Sequence, residues 1–385
     1  MSRPKVLMFI DWYLPGFRAG GPTRSCANLI DHLSSDISFY IVTRNCDYQS
    51  NSVYEGIETG EWIERKSGEK VMYLDEPYLT QERLHKISDS QNFAVVYIHG
   101  LFSSNFSIKT IRYFKKLETR LIVAPRGMLR KGALALKPWK KLPYLYLARI
   151  LGWYRTIIFH ATDEQESSDI RKWFGKDADI LIAPNLPKKG LTRQVKKKKP
   201  SGGLDLIFAG RIAPEKNLLY AIEVLSRLKS KGVRLQVYGA EYDKEYGQRC
   251  KNLAAGLTNG NLIEFHEPVR PEMMTKVLQE NHALFLPTKG ENFGHIILES
   301  FMASRPVVIS NETPWKELDS EGVGYDIDLD HPELFVKVLE QLLEMDDKEF
   351  QEMCSKAADK FKSFSSDQEL IRASKTLFSD SEGQN

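Results

Sequence analysis

Two cations stand close together in the stretch Phe208-Ala-Gly-Arg-Ile-Ala-Pro-Glu-Lys-Asn217. An apolar run ends at Gly210 and a helical pattern begins near Asn217, so Arg211 and Lys216 lie in a strand-to-helix loop. Free N–H groups and the helix dipole add to such charges, and a guanidinium offers a planar fork to phosphate oxygens. The loop is predicted to bind phosphate. Taken alone, the pair could equally be two exposed surface cations.

A second polar motif, Pro287-Thr-Lys-Gly-Glu-Asn-Phe-Gly-His-Ile-Ile-Leu-Glu299, follows another apolar run. Glu291 lies in the loop, and Glu299 lies in the helix predicted to begin near Gly294. Each carboxylate can accept hydrogen bonds from the hydroxyls of a sugar or ribose. Gly294 lets a ligand approach the backbone, and the N–H groups after it can face phosphate. Taken alone, the glutamates could instead be a helix-start carboxylate and a plain surface charge.

Three candidate contacts lie in the N-terminal half of the chain. Gly20 and Gly21 follow the first apolar run and precede a helix predicted to open at Thr23. Adjacent glycines permit close approach of a bound phosphate or sugar; the alternative is a tight turn with proline at the first helical position. His99 and Arg126 each follow an apolar strand. His99 can bond a sugar hydroxyl or be purely structural, and Arg126 can contact an acceptor or a phosphate.

The elements that must position these residues are short apolar runs alternating with helical patterns. Near-continuous apolar strands between helices indicate a parallel sheet covered on both faces. The predicted strands are Val6–Ile10, Ile37–Val42, Val95–Ile98, Leu121–Ala124, Ile157–Phe159 and Ile180–Ala183, then Leu206–Ala209, Leu235–Tyr238, Ile263–Phe265, Ala283–Leu286 and Val307–Ile309. Helices are predicted between most of the first set, and at 217–231, 271–280, 294–304 and 331–344.

The alternation breaks between residues 184 and 203, where prolines, glycines and the run Lys196–Lys199 show no period. We therefore predict an α/β protein with an N-terminal Rossmann-like domain (1–185), a linker with solvated lysines (186–204) and a C-terminal Rossmann-like domain (205–385). The last helix is free to pack back on the N-terminal domain. Because ligands bind at the carboxyl ends of parallel strands, we expect the domains to face each other across a ligand-binding cleft.

Composition and residue spacing argue against several classes of protein. The 385 residues carry a net charge of +3, which gives no global field for nucleic acid, and no nucleic-acid partner is expected. The four cysteines are scattered without a CxxC pair, which argues against a zinc site and for a reduced compartment. No stretch reaches the ~20 apolar residues of a membrane span. The Asp-x-Asp spacing at Asp326 and Asp328 precedes a helical pattern and is interpreted as capping, so no metal is expected.

The two C-terminal motifs together resemble those of a known enzyme family. Arg211-x4-Lys216 followed by Glu291-x7-Glu299 resembles the signature of family-4 retaining glycosyltransferases with the GT-B fold. The stretch ENFGHIILESFMASRPVVIS, with TPW at 313–315, is similar to bacterial members that build capsular and surface polysaccharides. The resemblance implies a hexosyltransferase that moves a sugar from a nucleotide-diphosphate sugar to a glycan or lipid-linked acceptor. It also implies retention at the anomeric carbon and no metal or cofactor.

The resemblance assigns roles to the candidate residues. Arg211 and Lys216 would hold the donor diphosphate and stabilise it as it leaves, Glu299 would bind the ribose, and Glu291 would contact the donor sugar. The catalytic set would be Glu291, His99, Arg211 and Lys216. The remaining donor contacts would be Gly20, Gly21, Asn292, Phe293, Gly294, His295 and Glu299. Arg126 would contact the acceptor.

A basic segment lies between Glu118 and Asp163, where no acidic residue occurs. Apolar and aromatic residues interleave with its cations, as in segments that lie in an anionic membrane interface. The cations are Arg120, Arg126, Arg130, Lys131, Lys137, Lys140, Lys141, Arg149 and Arg155. We expect a cytoplasmic protein that binds reversibly to the inner face of the cell membrane. The alternative is an ordinary helix with a solvated face.

Other functions stay open on the sequence alone. Another GT-B enzyme, such as a sugar-nucleotide epimerase or a phosphorylase, would share the cleft and differ in the reaction. In a non-catalytic membrane- or glycan-binding protein, the two cations and two glutamates would have no catalytic role. Donor hydrolysis by the purified protein therefore distinguishes such a protein from an enzyme.

Overall fold

The computed structural model describes residues 3–190 and 196–379. The chain divides into two compact units, one formed by Met1–Lys189 with Asp367–Asn385 and the other by Gly190–Ser366. The division after Lys189 falls inside the predicted linker, and the last helix belongs to the first unit rather than to the predicted C-terminal domain. Residues 191–195 of that linker lie outside the described part of the chain.

The first unit is built on an eight-stranded sheet of order β3-β4-β2-β1-β5-β6-β7-β8. Every neighbouring pair is parallel except β3 and β4. The strands are β1 (Lys5–Phe9), β2 (Ser38–Arg44), β3 (Trp62–Glu64), β4 (Lys70–Leu74), β5 (Val95–His99), β6 (Arg120–Ala124), β7 (Ile158–Ala161) and β8 (Ile180–Ile182). The helices are α1 (Gly21–Leu33), α2 (Gln81–Asp89), α3 (Thr110–Phe114), α4 (Lys131–Ala135), α5 (Pro138–Ile150), α6 (Glu164–Phe174) and α14 (Gln368–Thr376).

Helices cover this sheet with apolar stripes at helical spacing. In α1, the residues Cys26, Leu29, Ile30 and Leu33 are buried, as their spacings of three and four predict. After α14, the ring of Phe378 packs 5.8 Å from that of Phe39 on β2. The last described residues therefore complete the core of the first unit.

The second unit holds a six-stranded, wholly parallel sheet of order β11-β10-β9-β12-β13-β14. Its strands are β9 (Leu204–Ala209), β10 (Val233–Tyr238), β11 (Leu262–His266), β12 (Ala283–Leu286), β13 (Val307–Ser310) and β14 (Gly324–Ile327). Its helices are α7 (Leu218–Ser226), α8 (Lys244–Ala255), α9 (Pro271–Gln279), α10 (His295–Met302), α11 (Leu318–Glu321), α12 (Pro332–Glu344) and α13 (Asp347–Ser366). The prediction thus missed the strands β3, β4 and β14 and the helices α8, α11 and α13, and placed the end of α7 too late.

The lysine run before β9 is solvated only in part: Lys196 and Lys198 are exposed, as predicted, whereas Lys197 is half-buried and Lys199 is buried. Lys199 is only 2% exposed, and its ammonium donates to the carbonyl of Leu343 at 2.9 Å, in the last turn of α12. Its backbone N–H donates to Asp347 at 2.9 Å, where α13 begins. The ammonium of Lys197 pairs with Asp205 at 2.6 Å. The prediction was wrong at Lys199 because the last carbonyls of a helix need donors, and its ammonium supplies one.

Within the described residues, every helix is too short or too polar to cross a bilayer.

Candidate active site

The two predicted motifs of the second unit lie on neighbouring loops. Strands β9 and β12 pair in parallel, with Leu206 opposite Ala283, so the loops after them leave the same edge of the sheet. We call residues 210–217 the β9 loop and residues 287–294 the β12 loop. The carbonyl of Glu215 accepts from the Thr288 hydroxyl at 3.0 Å and from the Lys289 N–H at 2.9 Å, which ties the two loops together.

An ion pair joins the motifs directly. The ammonium of Lys216 contacts the carboxylate of Glu291, and their side chains are only 15% and 11% exposed. Arg211 lies in the same loop, with its guanidinium 3.1 Å from the Glu215 carboxylate and 5.0 Å from the centre of the Tyr242 ring. Both cations are therefore held in place by carboxylates of this unit.

Backbone conformation limits the residue types at the sheet edge. Asn217 and Gly294, which precede α7 and α10, are both left-handed, with φ of 62° and 78°. A β-carbon on Gly294 would lie 2.8 Å from the δ-carbon of Ile297. A β-carbon on Gly239, after β10, would lie 1.8 Å from the carbonyl oxygen of Gly210. Glycine at 239 and 294 thus keeps the backbone of the edge in place.

The other predicted donor contacts extend along the β12 loop into α10. The indole N–H of Trp315 donates to the carbonyl of Phe293 at 2.6 Å, and the Phe293 and His295 rings lie 4.8 Å apart. Asn292 is half-buried before Gly294, and Glu299 is half-buried on α10. Trp315, from the TPW motif, fixes the loop that carries these residues.

Gly20 and Gly21 come after β1 and Arg126 comes after β6, whereas His99 is the last residue of β5, one residue beyond its predicted strand. Gly20 has φ of 76° and caps α1, which begins at Gly21. The helix thus opens two residues earlier than predicted, and Pro22 is its second residue. Because β1, β5 and β6 are parallel neighbours, His99 and Arg126 share their edge of the sheet with the glycines.

Arg126 is the centre of a hydrogen-bonded cluster, and the buried ring of His99 lies beside it. Arg126 donates to the hydroxyl of Tyr97 at 2.7 Å and to the side chain of Asn185 at 2.9 Å. The Tyr97 hydroxyl lies 2.6 Å from Nδ1 of His160. His99 is 3% exposed, and neither ring nitrogen has a hydrogen-bond partner among the described residues. Burial, and then the charge of Arg126, hold the pKa of His99 well below its ordinary value, so the ring is neutral.

Several residues of these sites were absent from the prediction. Glu215 could have been found, since it is a carboxylate between the two cations and four residues after Arg211. Tyr97 lies two residues before His99 in β5 and was not among the predicted site residues. Asn185 has no sequence signal, because its contact with Arg126 spans 59 residues.

Parts of this sequence are similar to known proteins. Residues 192–361 match the family Glycosyl transferases group 1. The D-inositol 3-phosphate glycosyltransferase of Streptomyces griseus is 29% identical over 177 residues, which is 43% of this chain and 37% of that protein. An uncharacterized 41.2 kDa protein in the cps region of Klebsiella pneumoniae is 21% identical over 71% of this chain and 74% of its own length.

Solved structures share the whole fold. Anabaena Alr3699/HepE, in complex with UDP and glucose, matches with a TM-score of 0.68 at 12% identity, covering 97% of this chain and 98% of that one. The likeness extends over the strands and helices of both units. Residues 192–361 thus carry a glycosyl transferases group 1 domain, and the protein has the GT-B fold.

Proposed function

We propose that the protein is a retaining, metal-independent glycosyltransferase of hexosyl type. It transfers a sugar from a nucleotide-diphosphate sugar to a glycan or lipid-linked acceptor in surface polysaccharide synthesis. The observation that carries the proposal is the contact between the β9 and β12 loops, where Lys216 meets Glu291 beside Arg211. The relative from a cps region and the UDP and glucose complex of the Anabaena protein support the polysaccharide role and the donor class.

In this proposal, Arg211 and Lys216 bind the diphosphate of the donor. Their charges are preorganised by Glu215 and Glu291, so little reorganisation is needed as negative charge develops on the leaving group. Lys216 then lies between the diphosphate and Glu291 and screens their repulsion. Glu291 also accepts from a hydroxyl of the donor sugar, and Glu299 binds the ribose.

Bond changes in the reaction balance without a metal or cofactor. The bond from the anomeric carbon to the phosphate oxygen breaks, and a bond to the acceptor oxygen forms on the same face. The acceptor proton passes to the departing phosphate. EDTA is expected to leave turnover unchanged, because Arg211 and Lys216 supply the positive potential at the leaving group.

Purified protein tests the donor class. A panel of nucleotide sugars is screened by thermal shift, since a ligand that binds the folded state raises its stability, and then by release of the nucleoside diphosphate. We expect one donor class to raise Tm and to be hydrolysed slowly, with the anomeric configuration retained by NMR. Binding without hydrolysis by the wild type would instead favour a non-catalytic glycan-binding protein, and an inverted product would refute the retaining assignment.

In the first unit, we propose that Arg126 contacts the acceptor and that the neutral imidazole of His99 bonds a sugar hydroxyl near the reacting carbon. Gly20 and Gly21, at the start of α1, would contact the donor in this proposal, and a β-carbon on Gly20 would meet nothing within 4 Å. Arg126 lies in a left-handed conformation, with φ of 56°, beside His99. Burial leaves His99 able to donate and accept hydrogen bonds without becoming charged.

We further propose that α5 binds the inner face of the cell membrane. Its outward face is apolar, because the residues at helical spacing, Trp139, Pro143, Tyr146, Leu147 and Ile150, are all exposed. Trp139 is 69% exposed and Ile150 is 79% exposed. An ordinary surface helix buries such a stripe, whereas an interfacial helix inserts it between headgroups.

Cations flank this stripe, although fewer than the sequence indicated. Lys137 and Lys140 are exposed, but Lys141 is half-buried, donates to the Ala133 carbonyl at 2.7 Å and lies 5.3 Å from the Phe102 ring. Lys141 is therefore part of the packing beneath the helix, and it is removed from the set expected to contact lipid.

Flotation with anionic liposomes at low salt tests the membrane proposal. We expect the wild type to float. The variants Trp139→Asp and Lys137→Glu/Lys140→Glu should stay at the bottom with unchanged donor hydrolysis. Leu334→Asp is the matched control, because Leu334 is an apolar residue of α12, in the other unit, and is 43% exposed. Wild-type protein that stays at the bottom would show that the face of α5 is only a solvated surface.

A further inference from the structure

A second polar cluster lies at the carboxyl edge of the first sheet, apart from His99 and Arg126. Asp11 follows β1, Arg44 ends β2, Glu76 follows β4, and Ser103 and Asn105 follow β5. These strands are parallel, in the order β4-β2-β1-β5, so their ends bring the five residues together. We call them the Asp11 cluster.

Arg44 is the centre of the cluster. Its guanidinium contacts Glu76 and lies 3.0 Å from Oδ1 of Asp11. Ser103 donates to the same Oδ1 at 2.7 Å, and Asn105 donates to Glu76 at 3.1 Å. Two carboxylates share one guanidinium, so the cluster carries an excess negative charge that disfavours an anionic ligand.

The chain takes an uncommon conformation to build this cluster. Residues Ser104–Lys109 form a π-helical turn, which places Asn105 beside Glu76. Such turns are rare and occur frequently at functional sites. A simple ion pair between strand ends does not need one.

Asp11 keeps an oxygen for a ligand. Ser103 and Arg44 both bond Oδ1 of Asp11, and none of the described residues bonds Oδ2. The side chains of Asp11 and Glu76 are 16% and 33% exposed. Burial raises the pKa of Asp11 from its ordinary value. The half-buried indole of Trp12, 5.1 Å from the Arg44 guanidinium, adds an apolar surface beside the carboxylate.

We infer that the Asp11 cluster is a subsite for an uncharged, hydroxyl-rich pyranoside of the acceptor. Oδ2 of Asp11 accepts a hydrogen bond from one sugar hydroxyl, Arg44 can donate to a neighbouring one, and Trp12 contacts the C–H groups of the ring. The inference rests on the proposed function, since it names the class of acceptor that the glycosyltransferase uses.

Saturation-transfer NMR and titration with octyl glucoside, octyl galactoside and octyl N-acetylglucosaminide test the subsite, with octyl phosphate as the anionic probe. We expect the wild type to bind at least one glycoside and to prefer it to octyl phosphate. Asp11→Asn should raise the Kd about tenfold or more, because an acceptor facing the hydroxyl becomes a donor. Ser103→Ala, which removes one of the hydrogen bonds that orient Asp11 and leaves those from Arg44, should raise the Kd by ~3-fold and replaces Asp11→Asn if that variant does not fold.

Asp36→Asn is the matched control, because Asp36 is an exposed carboxylate of the same unit, paired with Lys375 on α14. It should keep wild-type glycoside binding. Failure of the wild type to bind any glycoside, or equal binding by wild type, Asp11→Asn and Ser103→Ala, overturns the subsite. Hydrolysis of nucleotide sugars by the wild type is measured in parallel, and its absence would instead refute the proposed function.

Discussion

Replacing Lys216 by methionine should lower both turnover and stability, for separate reasons. The side chain is 15% exposed and faces the Glu291 carboxylate, which is 11% exposed. Loss of one preorganised charge at the leaving group costs ~2–4 kcal/mol of transition-state stabilisation, or roughly 30- to 800-fold in turnover. Breaking a fully buried pair costs ~3–5 kcal/mol. Because this pair retains some solvent contact, we expect ~1–3 kcal/mol, or about 3–9 °C in Tm.

A double variant separates the two effects. Lys216→Met/Glu291→Gln removes both charges, so the free energy of unfolding should return to within ~1 kcal/mol of wild type while turnover stays low. Turnover is measured as nucleoside diphosphate release, and Tm by scanning calorimetry. Lys348→Met, at an exposed lysine of the same unit, is the control and should match the wild type in both.

The two measurements on Lys216→Met test two different roles of Lys216. Wild-type turnover in Lys216→Met would refute the diphosphate role. A double variant no more stable than Lys216→Met would show that the pair with Glu291 is not what the single substitution disrupts.

Three further predictions follow from residues away from this pair. Glu299→Ala should weaken nucleotide affinity about tenfold by calorimetry with a smaller change in kcat, because ribose contacts are alike in ground and transition states; unchanged affinity would contradict the ribose role. Burial lowers the pKa of His160 to about 3 and that of His282 to about 4, from 6.5. Their neutral forms stabilise the fold above pH 6.5, and each should lose ~2 kcal/mol of stability by pH 5, since only the unfolded state binds the protons there. Denaturant titrations at pH 7.5 and 5 check this, and equal stability would contradict it. Arg305→Met should lower the free energy of unfolding by ~3–5 kcal/mol, because the buried guanidinium donates to the carbonyls of Gln279 and Asn281 at 2.6 and 2.7 Å. An unfolding curve like that of the wild type would show that water takes over the hydrogen bonds of the guanidinium.

The parallel strands were predictable because each is marked by a continuous run of apolar residues in the sequence. Ala283–Leu286 is buried throughout and coincides with β12, since a strand covered on both faces must be apolar at every position. The edge strand β14 was missed because Gly324-Tyr-Asp-Ile begins with a glycine and contains a carboxylate, so it is not a continuous apolar run. Helix α13 could have been predicted, because Phe350, Cys354 and Ala357 recur at helical spacing and are buried.

The two loops of the candidate site were predictable from the sequence, but the contact between them was not. Arg211, Lys216 and Glu291 were identified from residue type and from their place after strands. Their pairing depends on β9 lying beside β12, which a sequence does not show. The prediction of a solvated lysine run failed at Lys199 for the same reason, since the burial of Lys199 depends on the end of α12, far along the chain.

The position of Phe378 has a consequence for synthesis of the protein on the ribosome. Its ring lies 5.8 Å from Phe39 and 5.6 Å from Tyr97, so the core of the first unit draws on both early and late parts of the chain. Residues 190–366 emerge between them and form a unit of their own. The half that is translated first is therefore completed last, and until then the apolar face that receives Phe378 is available to chaperones.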